Sequence, residues 1–280
     1  MQVSAKSRSD ASYNALPLTY AFAPAANVLL KDSAHTGLKV RDLLLASASR
    51  NQMSAYELRA ERAGTLDSWA GAETSNFRFL YLLGGEITFE LPGHAKVSLT
   101  KGDAVHQPFL AAVGKGHYSS NFAAVEIVAP GVGSSLITQN PLLQMHAPSF
   151  SADWDEAVNR EEEKAYVSGT GPRKFFLYRD LGTAALTERR VHIHVVRAIE
   201  TMPGGTGWHD HSMSQLFMVL RGEAVISVEG HGESRILTGD TMTINAGMKH
   251  NVSSFSPDYL VLEMCLPADY QTTPRPAPLG

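Results

Sequence analysis

GGTGWHDHSMSQLFMVLRG, residues Gly204 to Gly222, joins a glycine-rich turn to an apolar run through three metal-type donors. His209 and His211 are separated by one residue, and Gln215 follows four positions later. Side chains on an extended strand alternate between faces, so positions 209, 211 and 215 are expected to point the same way. Two imidazoles and an amide oxygen aimed at one point suit a divalent metal. A third imidazole, His250, closes the segment GDTMTINAGMKH, which begins at a Gly239–Asp240 turn. The spacing predicts that this second segment returns His250 to the first two histidines.

These two segments resemble the paired motifs of the cupin superfamily. The first motif runs glycine, His-x-His, three or four residues, an acid, six residues and a glycine. His209, His211 and Gly222 fall in register with it; Gln215 stands where the family usually has Glu, and Gly204 lies one residue nearer than usual. The second runs glycine, five residues, Pro-x-Gly, two residues, His, three residues, Asn. Gly239, Gly247 and His250 match, while Asn245 replaces the proline and Ser254 the asparagine. A lone His-x-His pair says little in a chain with 11 histidines, and His192 with His194 forms another without such a sequel. The glycines and the third histidine make the pattern specific. The resemblance implies a jelly-roll barrel holding one divalent transition metal on His209, His211 and His250. Gln215 is either a fourth ligand or a hydrogen-bond partner of one.

Outward from this stretch, the chain repeats itself. Gly85-Glu86 and Gly222-Glu223, Gly102-Asp103 and Gly239-Asp240, and Glu126/Pro130 and Glu263/Pro267 all stand 137 residues apart. One shared offset implies two copies of one unit. Each copy shows short alternating runs between glycine-bearing turns, the signature of all-β hairpins. The expected fold is therefore two jelly-roll barrels in tandem, a bicupin. Its expected divisions are an N-terminal barrel over residues 1–135, a linker over 136–172 and a metal-binding C-terminal barrel over 173–280. The offset carries His209, His211, Gln215 and His250 onto Ala72, Thr74, Arg78 and Val113, so the N-terminal copy is expected to lack metal ligands. Arg78 is read as a surface or interdomain salt-bridge residue and His106 as a packed or solvated one. In the linker, an acidic block at Asp153, Asp155, Glu156 and Glu161–Glu163 reads as a solvated face, with Ser151 or Asp153 able to cap a short helix.

Composition excludes several classes. With 280 residues, 44% hydrophobic and 19% charged, the chain can build a sizeable soluble core. A net charge of −4 without a basic stripe gives no pull toward nucleic acid or an anionic membrane. One cysteine, Cys265, rules out an intrachain disulfide, and its apolar run suggests a buried small side chain. No signal-type or membrane-spanning apolar segment is present, so a cytoplasmic location is the expectation.

The donor set narrows the chemistry. Three imidazoles and an amide are neutral, and an octahedral ion held by all four keeps two positions open. Iron is the first candidate, with Ni, Mn, Co or Zn also compatible. An anionic chelating substrate suits such a site: an enolate, a diketone or a hydroxylated aromatic acid. The resemblance to three-histidine cupin dioxygenases points to oxidative cleavage of such a molecule. Met213, Phe217, Val219, Met242 and Ile244 have the parity or position to line its pocket. Asp210 is expected to face away, no carboxylate is evident as a general base, and His194 is the one extra base candidate. The alternatives are a metal-dependent isomerase, lyase or hydrolase, and a non-catalytic ligand-binding cupin. Homodimers are common in the family, but no interface is legible here.

Overall fold

The alternating runs form strands in the order the repeat requires. The computed structural model describes residues 18–26, 30–33, 37–49, 51, 53–66, 77–89, 96–106, 115–129, 157–169, 171, 173–187 and 189–278. The first unit comprises β1 (Ala21–Ala23), β2 (Lys31–Asp32), β3 (Leu38–Asp42), β4 (Ser54–Ala60), β5 (Gly64–Leu66), β6 (Phe77–Gly84), β7 (Glu86–Phe89), β8 (Val97–Thr100), β9 (Ala104–His106), β10 (Gly116–Tyr118) and β11 (Ala123–Ala129). The second comprises β12 (Val158–Asn159), β13 (Val167–Ser168), β14 (Phe176–Asp180), β15 (His192–Ala198), β16 (His209–His211), β17 (Ser214–Arg221), β18 (Glu223–Val228), β19 (Gly232–Leu237), β20 (Thr241–Ile244), β21 (His250–Phe255) and β22 (Leu260–Leu266), followed by β23 (Thr272–Pro274). Strands β6, β7, β9 and β11 begin 137 residues before β17, β18, β20 and β22.

Each unit folds as two facing sheets. In the first barrel β12-β9-β6-β11-β4-β3-β2 lies against β5-β10-β7-β8. In the second, β1-β20-β17-β22-β15-β14-β13 lies against β19-β18-β21-β16-β23. The two barrels share a core. On β17, Phe217 and Val219 point into their own barrel, while Leu216 and Met218 join Phe77, Phe79 and Tyr81 of β6 in one buried apolar cluster. This explains why both strands read as nearly continuous apolar runs: both of their faces are covered. Each such Leu or Phe, taken from water, contributes about 1.5–3 kcal/mol. The barrels thus pack against one another within the chain.

The packing is reciprocal, and it redraws the expected divisions. β1 pairs with β20 of the second barrel, whereas β12, inside the segment expected to be a linker, pairs with β9 of the first. Each barrel therefore borrows an edge strand from the other unit, which covers an otherwise open sheet edge. The Gly-Asp turns lock the exchange. Asp240 Oδ1 accepts the Ala25 amide at 2.6 Å and Asp103 Oδ1 accepts that of Glu161 at 2.8 Å. Arg41 donates to the Gly239 carbonyl at 2.5 Å, and Arg179 to the Gly102 carbonyl at 2.9 Å. At Gly102, with φ +89°, a Cβ would lie 2.8 Å from the Glu161 side chain. Glycine is needed there for both conformation and space.

In the acidic block, Asp153, Asp155 and Glu156 lie outside the described residues, while Glu161, Glu162 and Glu163 are exposed, as the sequence reading expects, yet two of them are paired. Glu161 pairs with Arg179, a fully buried side chain, and Glu163 holds Arg197 through two hydrogen bonds of 2.6 and 2.8 Å. These acids answer arginines on β14 and β15, which the linear sequence does not place beside them. Over the described part of this block there is a 3-10 turn at Glu163–Ala165; the proposed caps Ser151 and Asp153 lie outside the described residues. Arg78 makes a salt bridge, but not at the surface. It is buried inside the first barrel against Glu126 at 2.6 Å. Its companions in the offset comparison, Ala72, Thr74 and Val113, lie outside the described residues. His106 is buried against Phe77, and burial pushes its imidazole down to about 4. No helix among the described residues is long and apolar enough to cross a membrane.

Candidate metal centre

The glycine-rich turn delivers the first two histidines. Gly205 sits at φ +66°, with the Val252 carbonyl occupying the space a side chain would need. The adjoining Thr206 amide bonds that same carbonyl at 3.0 Å, so the turn is stitched to β21. β16 then starts with His209 directly opposite His250, the first residue of β21. His211 ends β16, and the chain bends at Ser212–Met213 before entering β17.

That bend corrects the expectation of one continuous strand face. His209 and His211 belong to the five-stranded sheet and Gln215 to the seven-stranded sheet opposite. They converge across the barrel interior because the chain changes sheets, not through a single alternating strand. The imidazole centroids lie 4.3, 4.8 and 5.2 Å apart, and one nitrogen from each falls within 4.8 Å of the others.

Hydrogen bonds fix the ring tautomers. His209 Nδ1 lies 2.6 Å from the Gly207 carbonyl, and His250 Nδ1 lies 2.9 Å from that of Met248. A carbonyl only accepts, so both Nδ1 atoms carry the proton and both Nε2 atoms present lone pairs. His211 Nδ1 bonds the Thr272 hydroxyl at 2.8 Å, which leaves its Nε2 to the site as well. Burial pushes His209 down to about 2 and His211 to about 4, and lowers His250 too. Neutral imidazoles with inward lone pairs are the form that binds a metal. Gln215 Nε2 lies 3.1 Å from His250 Nε2, while its buried Oε1 has no hydrogen-bond partner. An orphaned amide oxygen beside three lone pairs fits a divalent ion, with His209, His211 and His250 as holders and Gln215 adjacent. Asp210 faces outward and binds Arg275 at 2.5 Å.

The cluster opens on a cavity of about 720 Å³. Of the five expected pocket residues, Phe217 and Ile244 line it, and three do not. Val219 and Met242 pack in the second barrel's core without lining the cavity, and Met213 is buried at the bend between the sheets. Parity assigned the face of a strand but not which of its residues line the cavity. On β15, the face carrying His192, His194 and Val196 lines the cavity. The expectation that no carboxylate stands near is overturned: Glu263 on β22 lines the cavity and bonds His194 Nε2 at 2.8 Å. Its carboxyl is held below the ordinary range despite burial, because the His194 hydrogen bond and nearby cations outweigh desolvation. Arg173, Tyr178 and Tyr270 also line the cavity and were not read from sequence. The missed signal was one charged residue in the apolar run LVLEMCL, with the parity of Val261. Cys265 is fully buried close to Glu263 and His194, and burial raises its thiol.

Comparison with known proteins agrees with this architecture. Residues 198–263, which hold all four candidate donors, match the cupin domain family. Among curated proteins no sequence match is found. A putative glyoxylate-induced protein from Pseudomonas aeruginosa superposes with a TM-score of 0.63 at 14% identity, covering 93% of this chain and 91% of that one. Protein Ylba from E. coli gives 0.60 at 10% identity, covering 92% and 96%. Salicylate 1,2-dioxygenase from Pseudoaminobacter salicylatoxidans, with gentisate, gives 0.61 at 11% identity, covering 91% and 85%. At such identities the likeness concerns the fold.

Proposed function

We propose that the second barrel, whose residues 198–263 match the cupin domain family, is the site of a metal-dependent enzyme, a dioxygenase of the non-haem Fe(II) type acting on a small anionic chelating substrate. The substrate classes are an enolate, a diketone or a hydroxylated aromatic acid. The observation that carries this reading is the neutrality of the donor set: three imidazoles and an amide, with no carboxylate among them. A divalent ion held there keeps its positive charge, which selects for an anion offering two oxygens. The ion would supply Lewis acidity and, as iron, reactivity toward dioxygen. Ni, Mn, Co or Zn would suit the same imidazoles. The chain's own part is to bind and orient. Phe217, Ile226, Ile244 and Val261 form an apolar wall that excludes water from the reacting atoms. The fold likeness to a salicylate 1,2-dioxygenase supports the reading.

The His194–Glu263 pair favours a second reading, a metal-dependent isomerase, lyase or hydrolase, because it offers a proton acceptor within the same cavity. Anaerobic reconstitution with Fe(II), followed by oxygen-electrode screening against enolisable and phenolic acids, separates the two. Substrate-dependent oxygen uptake supports the dioxygenase. Metal-dependent turnover without oxygen supports the second reading, and ligand-induced stabilisation without turnover would leave a binding protein.

A further inference from the structure

The cavity contains a cation that neither reading uses. Arg173 precedes β14 and lines the cavity together with Tyr178 and Tyr270. Among the described residues the buried arginines each face a carboxylate: Arg41 meets Glu57 at 2.8 Å, Arg78 meets Glu126 at 2.6 Å, and Arg179 meets Glu161. The Arg173 guanidinium has no ion pair or hydrogen bond to any described residue, although its backbone carbonyl accepts the Phe176 amide at 3.2 Å. The carboxylates that line the cavity are engaged elsewhere, Glu263 with His194 at 2.8 Å and Asp180 with His192 at 3.6 Å. A guanidinium stays protonated in proteins, so the cavity keeps a fixed positive charge that burial desolvates and that Glu263 offsets only through space, with no direct contact. Burial also raises the phenols of Tyr178 and Tyr270, so both hydroxyls stay protonated.

We infer that Arg173 is the anchor for a carboxylate of the substrate, which is therefore a small organic acid carrying a second oxygen function toward the three-histidine site. The planar fork of a guanidinium matches a carboxylate bidentately, and Tyr178 and Tyr270 line the same cavity as further donors. This rests on the second barrel being a substrate site and deepens that reading. Among the proposed classes it selects hydroxylated aromatic acids and enolates that carry a carboxylate, and disfavours diketones without one. The two binding elements also fix orientation: one end of the ligand is held by charge and the other is presented to the metal-type donors.

The test separates the anchor from the metal. Metal-free protein, prepared by chelation, is titrated calorimetrically with benzoate and with its neutral analogue benzamide. Saturable benzoate binding is expected at least tenfold tighter than that of benzamide. Arg173→Met should lose that preference, and Arg173→Lys should keep part of it. His211→Ala should still bind benzoate, because the anchor does not need the metal; this holds even if the dioxygenase reading fails. Circular dichroism confirms that each variant is folded. Equal affinity for benzoate and benzamide, no benzoate binding at all, or an unchanged preference in folded Arg173→Met would each overturn the assignment.

Discussion

At Gln215 the amide nitrogen lies 3.1 Å from His250 Nε2, while the buried oxygen finds no partner. Replacing this residue with Glu restores the usual family side chain and adds a negative charge at the site. Two unit charges about 4 Å apart at an effective dielectric of about 20 interact by roughly 4 kcal/mol. Gln215→Glu is therefore expected to bind metal at least as tightly as the parent and an anionic substrate analogue at least about tenfold more weakly; unchanged analogue affinity would remove charge as the basis of selection. Thr272 acts through His211, whose Nδ1 it orients at 2.8 Å. Thr272→Val should weaken metal affinity by about 10–100-fold while leaving the fold intact, as a competition assay with a chelating dye would read. The imidazoles also set a pH limit. Burial lowers His106, His209, His211 and His250 in the folded chain, so the unfolded chain binds more protons once pH falls below about 6.5. Stability of the metal-free protein should therefore drop between about pH 6.5 and 4, by up to about 1.4 kcal/mol per pH unit for each histidine. Denaturant midpoints that stay level from about pH 7 to 5 would contradict this.

At the scale of elements, the strands and turns were legible because period-two alternation and glycine punctuation are local signals. The histidine spacing was legible for the same reason. Sheet changes and cavity lining were not: the bend at Ser212–Met213 put Gln215 on the opposite sheet, and Val219 and Met242 pack in the core without lining the cavity. Glu263 and Arg173 were missed because their neighbours come from other strands, and pairing across a barrel is non-local. The exchanged strands β1 and β12 were hidden likewise, although their 137-residue separation matches the repeat. Arg179 ties β14 to both Glu161 and the Gly102 carbonyl. Arg179→Met should cost about 3 kcal/mol, at the low end for a broken buried pair because Glu161 is partly exposed. Equilibrium unfolding in urea reads it, and a loss under about 1 kcal/mol would show that the exchange is not held by this arginine.

For the whole molecule, the apolar cluster shared by β6 and β17 and the two borrowed edge strands make the barrels interdependent. Heating is expected to give one cooperative transition rather than two, and bound metal should raise its midpoint by mass action. Two resolved transitions in calorimetry would show that the barrels unfold independently. The two copies also differ at equivalent positions. Where the second barrel brings three histidines and Gln215 around a cavity, the first places the buried Arg78–Glu126 pair at the positions of Gln215 and Glu263. One measurement tests this account most directly: elemental analysis of the metal-saturated protein beside His211→Ala and His250→Ala. About one transition-metal ion per parent chain, with tight binding lost in each folded variant, is the expected result. A value near two per chain, or full metal retained by either variant, would contradict a single three-histidine centre in the second barrel.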